Sequence, residues 1–206
     1  MIKNSFLHYV GVLLKHAINF CLDIYLIQSP SKFKGDVDAL QEKVIKTQSI
    51  DYALLISALS STDISRFDRV FDIGSGKGRC CAYLGKMFPE KEILGIELNP
   101  LVANISVGNL NKKFNNVKII SGDILDSSNE HLFVQNSLYV LFNPFDADLF
   151  LEFLNKINAN GTVVFINASD EHIKAVKNNN FKFRSIILNK WYFDIEGKNI
   201  IIVEFD

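Results

Sequence analysis

The sequence predicts an α/β fold built on a doubly wound, mostly parallel sheet that ends in an antiparallel β-hairpin. Between residues 69 and 177 there are five short apolar runs, and four of them are followed by a turn and a segment with helical spacing. This alternation is typical of a parallel sheet with helices on both faces. Beyond residue 182, two β-rich runs flank a Glu-Gly-Lys turn, which favours a hairpin. We therefore expect a seven-stranded sheet.

The N-terminal residues are predicted to be helical. Residues 6–27 are largely apolar, but Lys15, His16, Asn19 and Asp23 interrupt them. These interruptions argue against a transmembrane segment, and no cleavage site follows that would mark a signal peptide. We expect an amphipathic helix that packs on the main domain. The alternatives are a lid over a substrate, a dimer contact or a membrane-surface helix.

A loop and a second helix are predicted next. Residues 29–38 contain the Pro, Gly and Ser typical of a loop, and residues 39–60 have helical spacing. We therefore divide the chain into a helical extension or lid, residues 1–60, and a main domain, residues 61–206.

The main domain is predicted to alternate strand and helix until its last two strands. The expected strands are residues 69–73, 92–98, 117–121, 137–142, 162–167, 183–193 and 199–205. The expected helices between them are residues 79–88, 101–114, 149–157 and 170–177.

The amino-acid composition limits which binding partners and which cellular compartment we expect for this chain. The chain of 206 residues has 22 Lys and Arg against 23 Asp and Glu, a net charge of -1. This balance gives no overall attraction to nucleic acid or to an anionic membrane. The cysteines, Cys21, Cys80 and Cys81, do not have the spacing of a disulfide framework or a zinc site. We expect no metal and a reducing compartment, the cytoplasm.

The most informative segment is the glycine-rich turn after the first main-domain strand. It reads Asp-Ile-Gly-Ser-Gly-Lys-Gly-Arg over residues 72–79 and precedes a helix. A dinucleotide fingerprint starting at Gly74 requires glycine where Arg79 stands, and a P-loop requires Ser or Thr where Gly78 stands. The carboxylate of Asp72 would also repel a pyrophosphate, whereas it suits a ligand with an amine and a sulfonium.

The turn resembles the first motif of class I S-adenosylmethionine (SAM)-dependent methyltransferases, Asp-x-Gly-x-Gly-x-Gly. Asp72, Gly74, Gly76 and Gly78 match it, and the resemblance covers roughly residues 65–206. It is strongest to small bacterial proteins with this turn and a later Asn-Pro-Phe. It implies a Rossmann-like fold and SAM as the cofactor, with Asp72 near its methionine end and Ser75 and the three glycines among the cofactor-binding residues.

Two further acidic residues extend the resemblance: Glu97 stands at the end of the second main-domain strand, and Asp123 follows the third. The resemblance implies that Glu97 binds the ribose hydroxyls, beside Leu98. It also implies that Asp123 accepts a hydrogen bond from the adenine amino group while Ile124 packs on the ring. All these residues stand at carboxyl ends of predicted parallel strands, the edge at which open α/β sheets bind ligands.

The segment after the fourth main-domain strand is the expected acceptor side. Asn143-Pro144-Phe145 partly resembles the Asn-Pro-Pro-Tyr motif of amino-group methyltransferases. The resemblance implies that Asn143 positions the acceptor next to the cofactor and that Phe145 stacks on it. We take both as catalytic residues, and Asn143 also as a cofactor-binding residue.

The predicted function is transfer of a methyl group from SAM to an unidentified protein side chain or small-molecule nitrogen or oxygen. An amino-group methyltransferase acting on nucleic acid, disfavoured by the balanced charge, and a non-catalytic SAM-binding module are the alternatives. No histidine stands out as a general base. We expect His8, His16, His131 and His172 to be surface or packed residues.

Overall fold

The computed structural model describes residues 2–28, 33, 49–110, 113–157, 160–188 and 197–205. Within these residues the chain forms a single seven-stranded sheet covered by helices on both faces. The strands are β1 Arg69–Ile73, β2 Glu92–Glu97, β3 Val117–Ser121, β4 Ser137–Phe142, β5 Gly161–Ile166, β6 Phe183–Leu188 and β7 Lys198–Phe205. The helices are α1 Ile2–Ile27, α2 Tyr52–Leu59, α3 Arg79–Met87, α4 Pro100–Leu110, α5 Ala147–Lys156 and α6 Asp170–Asn178.

The strand order explains where a ligand site can form. The order is β3-β2-β1-β4-β5-β7-β6, and the pairs among β1 to β5 are parallel. The order reverses between β1 and β4, because the chain moves outward from β1 to β3 and then returns to the other side of β1. Open α/β sheets bind ligands in the crevice beside such a reversal, at the carboxyl ends of the strands.

The predicted fold class is confirmed, with β7 as the antiparallel strand. β7 lies between β5 and β6 and is antiparallel to both, so the C-terminal strands pair as expected. β6 ends at Leu188, whereas the sequence predicts a strand to residue 193. Residues 189–193 lie outside the described part of the chain, as does most of the predicted loop 29–38 and residues 39–48 of the predicted second helix.

The core is divided by the sheet into two layers. Successive residues of β1 face opposite layers: Val70 packs with α2 and α3, whereas Phe71 packs with α5 and the aromatic side chains around it. This is the period of two expected for a strand buried on both faces. The aromatic layer stacks Phe71 on Tyr139 with ring centroids 5.0 Å apart.

The C-terminal half of α1 packs on the domain. Leu26 and Ile27 belong to the same core cluster as residues of α2 and α3. Its N-terminal half is more open, with Phe6 and Tyr9 about 70% exposed (68% and 70%). Over Phe6–Ile27 the helix is long and apolar enough to cross a membrane by length and composition, a criterion that buried core helices and signal sequences also meet. The absence of a transmembrane segment and the domain boundary at residue 60 remain predictions.

Candidate active site

The glycine turn lies directly against the end of β2. The backbone N–H groups of Gly74 and Ser75 both donate to the carbonyl of Ile96, at 2.9 and 3.0 Å. Gly78 N–H then donates to the Ser75 carbonyl at 2.9 Å, closing the turn before α3 begins. These hydrogen bonds hold the turn at the carboxyl ends of the parallel strands.

Gly74 brings the turn into contact with the Asn143-Pro144-Phe145 segment. Its φ is +73°, and a Cβ atom there would lie 2.8 Å from Cβ of Pro144. Glycine is therefore required both by the left-handed backbone conformation and by the close approach. The predicted cofactor turn and the predicted acceptor segment are neighbours in space.

Gly78 has a different environment from the other glycines of the motif. It precedes α3 with φ +88°, and a Cβ atom there would lie 2.4 Å from Oγ of Ser106 and 2.6 Å from Cδ1 of Leu110. Gly78 is not among the residues that line the cavity at the carboxyl ends of the strands. In this structure its small size allows α4 to pack against the turn.

Glu97 ties the turn to the end of β2. Its Oε2 accepts from the N–H of Gly76 at 2.8 Å, and its Oε1 accepts from the N–H of Asn99 at 2.9 Å. The residue is 8% exposed and lines the same cavity. Each carboxylate oxygen can accept more than one hydrogen bond, so Glu97 retains capacity for a ligand hydroxyl.

Asp72 is buried and lines the same cavity. It is 4% exposed, and the thiol of Cys81 donates to its Oδ2 at 3.2 Å. Burial raises the pKa of Asp72 to about 6, and the nearby Glu97 charge adds to the rise while hydrogen bonds from Cys81 and Cys80 oppose it. A cationic ligand group would offset the cost of ionising this carboxyl.

The predicted site residues meet in one cavity of about 440 Å³. That volume is within the range of about 300–1,000 Å³ typical of small-molecule sites. All of them except Gly78 line it: Asp72, Gly74, Ser75, Gly76, Glu97, Leu98, Asp123, Ile124, Asn143 and Phe145. In the described part of the chain, no group of three or more His, Cys, Asp and Glu side chains could hold a metal ion.

Ser75 provides an independent sign that the cavity is built for a polar ligand. Ser75 lines the cavity, and its buried Oγ has no hydrogen-bond partner among the described residues. Buried hydroxyl groups are normally paired, and an unpaired one costs free energy. A ligand with a hydrogen-bonding group beside Ser75 would remove that cost.

Asp123 and Ile124 border the cavity on the side of β3. Asp123 is exposed, its Oδ1 accepts from the N–H of Leu125 at 2.9 Å, and its carbonyl accepts from Asn129 at 2.7 Å. These bonds hold the turn, so the carboxylate has a defined position. Ile124 is 3% exposed and packs into the aromatic core layer.

The acceptor segment is held in a turned conformation. Asn143 has φ +49°, a left-handed conformation that Asn adopts more readily than most residues. Asp146 then caps α5 by accepting from the N–H of Leu149 at 2.9 Å. The Phe145 ring lies 5.7 Å from that of Phe153, centroid to centroid, so it is packed against α5 as well as lining the cavity.

The structure adds cavity residues that the sequence analysis did not select. Ser49, Ile50 and Arg79 line the cavity from the side of α1 and α2. Arg79 Nη2 is 2.8 Å from Asp23 Oδ2, with side-chain exposures of 7% and 0%. An acidic residue within an apolar helix signals a buried partner, but the sequence does not identify that partner.

Comparisons with known proteins find similarity to methyltransferases. Residues 68–146 match a family model described as "Putative methyltransferase". The curated tRNA1(Val) (adenine(37)-N6)-methyltransferases of two Porphyromonas gingivalis strains are 40% identical over 63 residues. That match covers 30% of this chain and 25% of each relative, so it spans about a quarter of their length.

Solved methyltransferase structures have the same fold at low sequence identity. Fibrillarin of Aeropyrum pernix, bound to S-adenosyl-L-methionine, has a TM-score of 0.57 at 16% identity, covering 74% of this chain and 73% of that one. A SAM-dependent O-methyltransferase of Thermotoga maritima has a TM-score of 0.58 at 16% identity, covering 77% and 66%. These structures confirm the fold expected from the glycine turn, and the family match covers β1 to the Asn143-Pro144-Phe145 segment.

Proposed function

We propose that this protein binds SAM in the described cavity and transfers its methyl group to an amine or hydroxyl acceptor held at Asn143. The observation that carries the proposal is the convergence of Asp72, Glu97 and Asp123 on one cavity beside the glycine turn. These acidic residues stand at the carboxyl ends of three different strands, and they line a space of the size that a small-molecule cofactor needs.

The residues present suit the polar groups of SAM from one end to the other. The buried carboxyl of Asp72 suits the methionine amino group, and the unpaired hydroxyl of Ser75 suits the methionine carboxylate. Glu97 suits the ribose hydroxyls, and Asp123 suits the adenine amino group with Ile124 and Leu98 beside it. When bound, SAM supplies a methyl group already activated for transfer.

The protein's own contribution is positioning and exclusion of water. The Asn143 side chain lies in the cavity lining next to apolar Phe142, Pro144, Phe145 and Leu149. An amide oxygen can accept a hydrogen bond from an acceptor amine or hydroxyl. Holding two reactants in register lowers a barrier by several kcal/mol.

Two classes of methyl acceptor are candidates. The charged residues that line the cavity are mostly acidic. Asp72, Glu97, Asp123 and Asp146 are acidic, against the basic Lys77 and Arg79, whose guanidinium is paired with Asp23. This balance favours a neutral or cationic small molecule or protein side chain over a phosphate backbone. The name of the Porphyromonas relatives and the partial Asn-Pro-Phe motif favour an amino group of RNA.

Titration of the protein with SAM, followed by transfer of labelled methyl groups, tests the proposal. Binding is measured by isothermal titration, with Glu92→Ala as the control, because Glu92 stands at the start of β2, away from the cavity. We expect binding to the wild type and to the control. No binding at millimolar SAM would contradict the proposal.

The transfer reaction then separates the acceptor classes. Labelled SAM is incubated with the wild type and with Asn143→Ala, using RNA, protein and small-molecule fractions of a cell lysate. Label confined to RNA would select the nucleic-acid candidate, and label in another fraction would select the first candidate. SAM binding without transfer to any fraction would leave a non-catalytic binding module.

A further inference from the structure

His172 is buried behind the acceptor segment and contacts it directly. It lies in the first turn of α6, is 5% exposed and packs between the rings of Phe150 and Phe165, at centroid distances of 5.8 and 4.6 Å. Its Nε2 is 3.0 Å from the carbonyl oxygen of Phe145. The sequence predicted a surface or packed residue without assigning it a task.

The hydrogen bonds around the ring determine which nitrogen has the proton. The backbone N–H of Ser169 is 3.2 Å from Nδ1 of His172, and the Ser169 hydroxyl is 2.7 Å from the same nitrogen. A backbone N–H can only donate, so Nδ1 is the acceptor. In a neutral ring the proton is then on Nε2, which donates to Phe145.

Phe145 connects this histidine to the candidate site. Its ring lines the cavity and its carbonyl accepts from His172, while Asp146, the next residue, caps α5. The carbonyl side of the Asn143-Pro144-Phe145 segment is therefore held by α6, and its continuation is held by α5. Pro144 contacts the glycine turn, as the 2.8 Å approach at Gly74 indicates.

We propose that His172 is a positioning residue of the transfer reaction. Through its Nε2 proton it holds the Phe145 carbonyl, and thereby the conformation in which Asn143 faces the acceptor. This inference rests on the proposed function. A purely structural role is the alternative, in which His172 only completes the capping box of α6 with Ser169.

Two substitutions of His172 distinguish the positioning role from the purely structural role. Asn resembles the Nδ1 side of the imidazole ring, and Gln resembles the Nε2 side. His172→Asn places an amide oxygen near Nδ1, so it keeps the acceptor for Ser169 and loses the donor to Phe145. His172→Gln places an amide N–H near Nε2, so it keeps the donor to Phe145. His131→Asn is the matched control, because His131 is exposed and its ring contacts only Ser128 among the contacts described.

The first measurement is independent of activity. Nitrogen NMR of the wild type should show a neutral His172 ring protonated at Nε2. Backbone signals of Phe145 and Asp146 should shift or broaden in His172→Asn and be close to wild type in His172→Gln. A ring protonated at Nδ1, or a Phe145 signal unchanged in His172→Asn, would overturn the proposal.

The second measurement uses the acceptor fraction labelled by the wild type. His172→Asn should lower kcat about 10- to 100-fold, the scale of a small misplacement of reacting groups, with SAM affinity unchanged. His172→Gln should restore most of that loss. Equal kcat in both variants would overturn a positioning role. Failure of the wild type to bind SAM would overturn the proposed function, while the NMR result would still decide the tautomer and the contact with Phe145.

Discussion

Asp23 of α1 and Arg79, the first residue of α3, form a buried ion pair of 2.8 Å across 56 residues of sequence. Tyr52 donates to the other Asp23 oxygen at 2.9 Å, and Arg79 also donates to the Ile50 carbonyl at 3.1 Å. Burial, and then the Asp23 charge, raise the pKa of Tyr52. Arg79 and Ile50 both line the cavity, so α1 is attached at the edge of the candidate site.

Removing one partner of this ion pair should strongly destabilise the fold. We expect Asp23→Asn to lower the free energy of unfolding by about 3–5 kcal/mol, because the buried Arg79 would lose the counter-charge of Asp23. Urea unfolding measures this. Lys118→Ala, which removes an exposed ion pair with Glu92, should cost less than about 1 kcal/mol. Equal effects of the two substitutions would contradict the prediction.

Glu97→Ala should weaken SAM binding by about 1.5–3 kcal/mol, the usual contribution of a hydrogen bond to a charged group. The loss has two sources, since Glu97 is the expected ribose ligand and also accepts from Gly76 in the turn. Calorimetric titration against Glu92→Ala gives the comparison. An affinity equal to that of the control would remove Glu97 from the site.

The raised pKa of Asp72 predicts a pH-dependent cost to stability. The folded-state pKa of about 6 is above the ordinary 3.8, so the folded protein holds this proton more tightly than the unfolded chain does. The cost is absent below about pH 4, grows as pH rises to about 6 and is then constant. At 1.36 kcal/mol per pKa unit its upper limit is about 3 kcal/mol.

Asp72→Asn should remove that cost above pH 6. The difference in unfolding free energy between the variant and the wild type should therefore increase from pH 4 to pH 6, in favour of the variant. Urea unfolding at several pH values measures it. A difference that is the same at all pH values would show that burial does not raise this pKa.

The affinity for SAM should rise with pH, whereas the Asp72 carboxyl makes the fold less stable as pH rises. An ionised Asp72 attracts the methionine amino group, so affinity should fall as pH drops through about 6, by up to tenfold per pH unit. Titrations at pH 5, 6 and 7 provide the test, with Asp72→Asn as the control. The variant should bind weakly, and its affinity should change less with pH.

Gly74→Ala should disturb both the turn and the acceptor segment. The left-handed φ of +73° and the 2.8 Å approach to Pro144 should together cost about 1–3 kcal/mol of stability and weaken SAM binding. Gly108→Ala is the matched control: Gly108 lies within α4 and has no atom within 4 Å of an added Cβ. That change should stabilise the helix by up to about 1 kcal/mol.

If Gly74→Ala binds SAM with wild-type affinity and unfolds at the same denaturant concentration, the turn tolerates a side chain. The contact with Pro144 would then have no part in the site. Thermal unfolding of both glycine variants, with and without SAM, separates the effect on stability from the effect on binding.

Much of the fold could be predicted from the sequence because its signals are local. The apolar run of β1 and the glycines after it determine a strand, a tight turn and a helix, and the structure has them at the predicted residues. The rule that parallel strands align their carboxyl ends then places Asp72, Glu97 and Asp123 at one edge. The strand predicted over residues 183–193 is confirmed as far as Leu188, and residues 189–193 lie outside the described part of the chain.

The sequence by itself therefore determined the strands, the turn and the acidic residues at the strand ends, since each depends on residues close in the chain. Only the tertiary structure decided that Gly78 makes room for α4, that Asp23 pairs with Arg79, and that His172 donates to Phe145. The physical reason is that packing and buried hydrogen bonds join residues tens of positions apart. The periodicity of one element does not specify its partner in another.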